Sequence, residues 1–362
     1  MAATTTKPKP SWIAKLRSEP GMLFLVGLMI PTVLFLLRQL SNNPTLFLQT
    51  ILKSAGLGST YAIIALGFVL IFKATHVVNF AQGSLAVAGA LFVSFAVADE
   101  HIPFTTIQNP LYSVGAPEWL SWGLSVIMAL FFAALLGLII ERLTIRPMVG
   151  EPILAVALIT LGLEIVLRTM NNDTAETELR SLEIPWGVSG FKIGEALINW
   201  SIVAAIVTAA VCFVAVFFFY RSRTGVAMRA VALDQEAAMA QGINVGRVFA
   251  IAWAAGAVLA AIGGIFGTQP PVKQTGAVDP QTATIAFRAL PAVILGGLDS
   301  AVGALVGGLL VGFAEIFAGQ YAAGIQNQIG PGYSLIVPYI VMLIGLIVRP
   351  FGMFGTPEIR RV

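Results

Sequence analysis

The feature that most constrains the fold of this chain is a series of long apolar runs separated by short polar segments. Within each run the apolar residues are continuous, whereas the strands of a membrane barrel alternate apolar and polar residues. A helix needs about 20 apolar residues to cross the roughly 30 Å hydrocarbon core of a bilayer. Hydrophobic residues make up 57% of the 362 residues, and charged residues only 11%. The chain is therefore predicted to be an all-α, polytopic membrane protein with about 8–10 transmembrane helices.

Two of the apolar runs are interrupted in ways that suggest a transport path. The run at 283–298 contains Arg288, Pro291 and a Gly-Gly pair, which predicts a re-entrant or broken helix. A second interruption lies at residues 73–83, and paired breaks favour a transporter over a receptor or an anchor. Candidate spans lie near residues 21–38, 51–72, 83–98, 120–140, 152–168, 200–220, 248–267, 283–298, 300–318 and 334–348.

Charge and composition divide the chain into one transmembrane domain, residues 21–350, and two tails. Residues 1–20 are rich in Thr, Lys and Pro and are predicted to be disordered, and residues 351–362 form a short C-terminal tail. Most of the 21 Lys and Arg residues fall on one side if both tails are cytoplasmic, as the positive-inside rule expects. Residues 171–199 are then the longest outer loop. This acidic loop is either a docking face for another protein or a plain solvated loop.

The polar segment at residues 221–247 lies between two apolar runs yet has the pattern of a short helix. Small and apolar residues recur in it at spacings of three and four, Gly242 is a natural helix end, and Asn244 can cap the next helix. Such a helix can lie parallel to the bilayer and fit a groove on a soluble partner, with its alanines allowing close approach and its charged side chains making polar contacts. The residues predicted to take part are Arg229, Asp234, Glu236, Ala237, Ala238 and Gly242.

A few polar residues within the apolar runs are candidates for lining a translocation path. They are Ser59, Thr60, Tyr61, Asn79, Gln82 and Glu315. Asn79 and Gln82 lie in the break at 73–83, where amides can also satisfy freed backbone groups. Glu315 needs a reason for its position, because a charge within a membrane helix costs roughly 2.5–3.5 kcal/mol on insertion scales. We expect it either to line the path or to reach water or Arg288 at the outer end of its helix.

The sequence argues against an enzyme or a metal protein. Cys212 is the single cysteine, so no disulfide or cysteine metal site can form within one chain. Two histidines and the absence of a Gly-x-Ser-x-Gly motif disfavour an intramembrane serine protease. The chain also lacks the Gly-x-x-x-x-Gly-Lys-Ser/Thr loop that cradles ATP phosphates, so ATP is expected on a partner. No cofactor, metal or nucleic acid is predicted to bind this chain. A secondary transporter or channel that works without ATP is an alternative, but it would leave the polar segment without a role.

The polar segment also carries a resemblance to a known family. Glu236-Ala237-Ala238 followed by Gly242 resembles the Glu-Ala-Ala-x-x-x-Gly loop of ABC importer permeases, which inserts into the nucleotide-binding subunit. The broader motif expects Ile-x-Leu-Pro further on, where this chain has Ala252-Trp253-Ala254-Ala255. That difference argues against the maltose-type permeases and toward another branch.

Other segments resemble the permeases of branched-chain amino acid ABC importers. The resemblance lies in residues 58–62, 71–83, 289–297, 303–308 and 349–355, in the same order along the chain. It implies an ABC importer permease fold in the cell membrane. It also implies ATPase subunits that bind the ATP, a second related permease that is either identical or a paralogue, and an extracytoplasmic solute-binding protein. The implied cargo is leucine, isoleucine or valine, while urea, short amides and other neutral amino acids are alternatives because the selective pocket would lie on the binding protein.

Overall fold

The computed structural model describes residues 32–103, 105–110, 117–175, 179–194, 196–322, 324, 328–330 and 332–356. The predicted tails at 1–20 and, except for residues 351–356, at 351–362 lie outside the described residues, as does most of the first predicted span at 21–38. The described part of that region is helical over residues 32–42, here called α1.

Helices form most of the described structure. After α1 they are α2 (Pro44–Thr75), α3 (Gln82–Val97), α4 (Glu118–Ile140), α5 (Ile153–Ala175), α6 (Trp200–Arg221), α7 (Arg223–Leu233), α8 (Gln235–Ala240), α9 (Val245–Gly267), α10 (Thr284–Gly296), α11 (Ala301–Tyr321) and α12 (Val337–Val348). A π-helical turn, Glu141–Ile145, and a 3-10 turn, Arg146–Met148, continue α4, and two further 3-10 turns cover Pro280–Ala283 and Tyr333–Leu335.

Six of these helical segments are long and apolar enough to cross a membrane, and three shorter apolar helices accompany them in the described part of the chain. The prediction of an all-α, multi-pass membrane protein is thereby confirmed. Four short strands lie outside the spans: β1 (Arg180–Ser181) pairs antiparallel with β4 (Ala277–Val278), and β2 (Gly190–Ile193) forms a hairpin with β3 (Ala196–Asn199). These strands lie between the spans, within or beside the predicted outer loop.

α2 is the central helix of the fold. It is almost entirely buried over residues 54–71 and packs against α9, α11, α6 and α10. Its start, seven residues earlier than predicted, is set by Asn43, whose Oδ1 accepts a hydrogen bond from the Leu46 amide, and by Pro44 in the first turn. By contrast, only about a quarter of the residues in the most apolar stretches of α4, α5 and α6 are buried. The outer faces of these helices are therefore apolar and exposed.

Glycines bring α2 and α11 into close contact. A Cβ added to Gly312 would lie 2.4 Å from the Gly58 amide nitrogen, and one added to Gly308 would lie 2.7 Å from the Ala62 amide nitrogen. These helices therefore approach backbone to backbone, which is the packing that small residues permit between membrane helices.

The break expected inside the run at 283–298 is absent, although the helix is short as predicted. α10 continues through Pro291 and ends at Gly297, whose φ is +106°. Pro291 has no amide hydrogen to donate to the carbonyl of Phe287 four residues earlier. The Tyr339 hydroxyl donates a 3.1 Å hydrogen bond to that carbonyl instead. A side chain from α12 thus supplies the donor that the proline removes, and the helix does not break.

Candidate functional site

The polar segment at residues 221–247, called the coupling segment below, forms two helices and not the single predicted one. Asp234 has extended backbone (φ −160°, ψ 110°), which ends α7, and its Oδ1 accepts a 2.9 Å hydrogen bond from the Ala237 amide. An aspartate in this position satisfies a free amide at the start of a helix, so it begins α8. The predicted end at Gly242 (φ +81°) and the predicted cap by Asn244, which accepts a 2.9 Å hydrogen bond from the Arg247 amide, both appear in the structure.

One side of the coupling segment is fixed to the rest of the protein. Gly225, Met228 and Val231 are buried on the inner face of α7. Arg229 donates a 2.6 Å hydrogen bond from Nη1 to the Tyr220 carbonyl, which lies at the end of α6 and lacks a full helical partner. The guanidinium of Arg229 was expected to contact a partner, and the structure shows that one of its nitrogens is bonded within the chain.

The other side of the coupling segment is exposed and partly apolar. Leu233 is 89% exposed and Val226 is 53% exposed, and Glu236 and Ala237 are also exposed. Ala238, however, is only 4% exposed, so the prediction that both alanines allow close approach to a partner needs correction for this residue. The spacing of small and apolar residues in the sequence does not single out Leu233. The structure shows that it is almost completely exposed.

The coupling segment is linked to the C-terminal end of α2. Lys73 lies near the end of α2, and its Nζ donates a 3.0 Å hydrogen bond to the Asp299 carbonyl. The same Nζ lies 4.7 Å from the centre of the Tyr220 ring. Asp299 in turn accepts hydrogen bonds from the amide and hydroxyl of Thr356. Lys73 therefore joins the end of α6 to the turn between α10 and α11, directly behind the coupling segment.

The break between α2 and α3 is held by buried amides. Asn79 donates a 3.0 Å hydrogen bond to Gln82 Oε1 and accepts one of 3.1 Å from the Ala81 amide, and Gln82 donates to the Gly256 carbonyl at 3.3 Å. Thr160 of α5 accepts from the Phe80 amide and donates to the Val78 carbonyl or, alternatively, to that of Ala157. Asn79 and Gln82 are fully buried, so the structure assigns them the backbone-satisfying role and gives them no exposed surface on a path.

Of the remaining path candidates, Tyr61 contacts Glu315 directly. Glu315 Oε2 accepts a 2.7 Å hydrogen bond from the Tyr61 hydroxyl, and Arg288 interacts electrostatically with both residues. Glu315 is 7% exposed and Tyr61 is fully buried. Ser59 and Thr60 are also buried, and Thr60 donates its hydroxyl hydrogen to the Gly56 carbonyl of its own helix. Tyr61 and Glu315 thus form one polar unit between α2 and α11, while Thr60 is satisfied locally.

The sequence pattern predicts none of the three ion pairs formed by the described residues, one of which joins Arg180 to Asp99 at 2.6 Å. Arg146 binds both carboxylate oxygens of buried Glu141, at 3.0 and 3.1 Å, across the π-helical turn. Lys273 contacts Asp279 at 2.5 Å in the loop before α10 and also donates to Thr282. Burial alone would raise the pKa of Asp279, but the hydrogen bond and charge of Lys273 hold that pKa below its ordinary value. The spacings of five and six residues match neither the helical nor the strand period, so no pattern predicts them.

Comparison with known proteins gives the same family as the sequence motifs, the permeases of branched-chain amino acid importers. A family profile described as "Branched-chain amino acid transport system / permease component" matches residues 50–346. The high-affinity branched-chain amino acid transport system permease protein LivH of Salmonella typhimurium is 30% identical over 323 residues, covering 87% of this chain and 98% of LivH. The corresponding permease protein BraD of Pseudomonas aeruginosa is 29% identical over 326 residues, covering 87% of this chain and 98% of BraD. A more distant relative, the fructose import permease protein FruF of Bifidobacterium longum, is 25% identical over 287 residues, covering 78% of this chain and 73% of FruF.

The profile match covers the membrane core from within α2 to near the end of α12, including the coupling segment and the Tyr61–Glu315 unit. The three relatives are named as transport permeases, and none is named as an enzyme. This chain therefore belongs to the family of permease components of branched-chain amino acid transport systems.

Proposed function

We propose that this chain is the membrane-spanning permease of an ATP-driven importer that carries leucine, isoleucine and valine into the cell. ATP is bound and hydrolysed on separate ATPase subunits, and a solute-binding protein outside the cell membrane delivers the amino acid. The observation that carries the proposal is the match of this family over residues 50–346, together with about 30% identity to two branched-chain amino acid permeases over nearly their whole lengths.

The coupling segment is the proposed contact with the ATPase. Leu233, Glu236 and Ala237 present an exposed surface of mixed apolar and charged character, while Ala238 and Met228 hold the segment against the membrane helices. Closure of the ATPase subunits on ATP would push on this surface. Arg229 and Lys73 would then pass the movement to the ends of α6 and α2 through their bonds to Tyr220 and Asp299.

The apolar outer faces of α4, α5 and α6 meet lipid or a second permease. Exposed residues on these faces include Phe131, Leu158 and Val211, each more than half exposed. Packing of a second, related permease against one such face would enclose a path between the two subunits. In this arrangement the coupling segment and both chain ends lie on the cytoplasmic side of the cell membrane, as the distribution of basic residues favours.

The test is reconstitution of the whole importer in liposomes. The permease is purified with the partner permease, ATPase subunits and binding protein encoded beside it, and uptake of labelled leucine is measured with and without ATP. We expect uptake of leucine, isoleucine and valine that requires both ATP and the binding protein. Urea, acetamide, phenylalanine and fructose are tested in parallel.

The same assay separates the alternatives. Uptake that continues without ATP would contradict the importer proposal and favour a secondary transporter or a channel. ATP-dependent uptake of urea, amides or fructose without uptake of leucine would retain the ATP-driven mechanism but overturn the proposed cargo.

A further inference from the structure

A cavity of about 260 Å³ opens at the end of the protein opposite the coupling segment. Lys53 of α2 lines this cavity. It lies 20 residues before Lys73, so the Cα atoms of the two lysines are about 30 Å apart at the helical rise of 1.5 Å per residue. The cavity volume lies just below the range typical of small-molecule sites, about 300–1,000 Å³. The cavity therefore has room for a small ligand only, and it lies at the predicted outer end of the transport path.

Two opposite charges face this cavity. Glu315 lines it from α11, and Lys53 lines it from α2. The Tyr61 hydroxyl donates its hydrogen bond to Oε2 of Glu315, so Oε1 of the same carboxylate can accept from a ligand. Lys53 makes no ion pair with any residue that the structure describes. An ammonium group and a carboxylate thus line one small cavity without pairing with each other, while Arg288 of α10 also interacts electrostatically with the carboxylate.

The spacing of these groups suits a ligand that carries both charges. Tyr61 is eight residues, or about 12 Å, from Lys53 along α2, and Glu315, the hydrogen-bond partner of Tyr61, lines the same cavity as Lys53. The four-carbon stem of lysine gives its ammonium group reach and freedom. Because both side chains line one cavity of about 260 Å³, a small ligand inside it can present its carboxylate to Lys53 and its ammonium group to Glu315.

The rest of the wall is apolar and amide-bearing. Ile202 of α6 and Ile316 of α11 provide aliphatic surface, and Pro270 and Pro271 close the cavity from the loop after α9. Asn199, Gln274, Gln320 and Ser334 add polar side chains. An aliphatic side chain would be shielded from water by the isoleucines and prolines.

We propose that this cavity is a binding station, that is, a weak binding site along the transport path, for a zwitterionic aliphatic amino acid. Lys53 binds the carboxylate of the ligand, and Glu315 binds its ammonium group. The inference rests on the proposed function for its cargo class, and it adds a site within the permease itself that discriminates the two charges of the ligand. A station that the amino acid enters from the binding protein and leaves toward the path has to bind weakly, so millimolar affinity is sufficient.

The test uses the complete transport complex in detergent without its binding protein. Gln320→Cys places a thiol on the cavity wall, and its reaction with a small charged thiol reagent is followed on this chain by mass spectrometry. The native Cys212 is buried and serves as an unreactive internal control. Lys192→Cys, at an exposed position on β2, is the matched accessible control.

We expect millimolar leucine to slow labelling of Gln320→Cys several-fold and to leave labelling of Lys192→Cys unchanged. Leucinamide lacks the carboxylate and 4-methylpentanoate lacks the ammonium group, so each should protect at least tenfold less well than leucine, as the loss of one charge-assisted hydrogen bond predicts. Lys53→Gln should abolish the preference for leucine over leucinamide. Glu315→Gln should abolish the preference for leucine over 4-methylpentanoate.

The uptake assay keeps the two proposals separable. Leucine uptake by the wild-type complex with no protection of Gln320→Cys, or with preferences unaltered by both charge variants, would overturn the station and leave the proposed function standing. Protection by fructose or urea but not by leucine, with matching uptake, would overturn both. If Glu315→Gln does not assemble, Lys53→Gln alone decides, because Lys53 has no ion pair in the described structure to lose. Lys192→Gln and Glu118→Gln, both at exposed positions, serve as charge-matched controls in uptake.

Discussion

Tyr61 donates a 2.7 Å hydrogen bond to Glu315, and this bond joins α2 to α11 across 254 residues of sequence. Both residues are buried, and Arg288 of α10 interacts with both. The bond lies between two helices that also meet at Gly58 and Gly312. It therefore both fixes a close helix contact and orients the one carboxylate that faces the outer cavity.

Tyr61→Phe is expected to lower the stability of the purified complex by about 1.5–3 kcal/mol, because it removes the hydrogen-bond donor of a buried carboxylate. Thermal unfolding in detergent measures the effect. Tyr321→Phe is the control, since the Tyr321 hydroxyl is buried and has no hydrogen-bond partner among the described residues. Equal effects of the two substitutions would show that the Tyr61–Glu315 bond does not stabilise the fold.

Gly312→Ala is expected to destabilise the contact between α2 and α11 by about 1–3 kcal/mol, the usual range for overpacking. The new Cβ would lie 2.4 Å from the Gly58 amide nitrogen, a backbone atom that cannot move aside without shifting a helix. Gly162→Ala is the matched control, because a Cβ at that exposed position of α5 meets nothing within 4 Å. The amount of monodisperse protein after extraction and its thermal stability distinguish the two variants, and a Gly312→Ala protein as stable as wild type would contradict the close contact.

Glu236→Ala and Leu233→Ala are expected to reduce ATP-driven uptake several-fold while the protein still reaches the membrane. Both side chains are exposed on the coupling segment, so their loss leaves the chain's own packing intact and, under the proposed function, removes contacts with the ATPase. The measurements are leucine uptake, ATP hydrolysis and co-purification of the ATPase subunits. Glu118→Ala, exposed at the start of α4, is the control. Unchanged uptake in both variants would refute the coupling role of this surface.

Asn79→Ala is expected to destabilise the protein by about 1–3 kcal/mol, because it leaves the Ala81 amide and Gln82 Oε1 without partners in a fully buried site. Asn172→Ala, on the exposed side of α5, should change stability little. If Asn79→Ala kept wild-type stability but altered which amino acid is taken up, the residue would line the path after all.

Asp279→Asn is expected to reduce stability by about 0.5–1 kcal/mol, since the Lys273–Asp279 pair is partly exposed. The folded pKa of Asp279 is depressed, so its contribution is fully present above the ordinary aspartate pKa of about 3.9 and is lost as the pH falls through the folded value. The difference in thermal stability between wild type and Asp279→Asn should thus be constant above about pH 4 and shrink below it. A difference that grows on acidification would contradict the depressed pKa.

Local features were predictable because their causes are local in sequence. Asn244 caps the helix that begins at the next residue by accepting a hydrogen bond from the amide three residues on, and Gly242 ends a helix where positive φ is needed, so the residue types alone predict both. Asp234 is an equally good cap, yet the stripe of small residues across it predicts one continuous helix, so the pattern conflicts with the cap that the structure uses. The burial of Ala238 beside exposed Ala237 depends on which face of α8 meets the protein, which identical residues cannot reveal.

The sequence by itself determined that this chain is a multi-pass helical membrane protein and which family it resembles, because continuous apolar runs and short motifs depend only on neighbouring residues. Only the tertiary structure decided that Tyr61 bonds to Glu315 and that Lys53 and Glu315 line one cavity. It also decided that the Tyr339 hydroxyl donates to the Phe287 carbonyl, which Pro291 leaves without a helical donor. Each of these requires that helices distant in sequence pack at a particular depth and rotation. That packing is set by backbone contacts at glycines such as Gly58 and Gly312, whose partners no local pattern specifies.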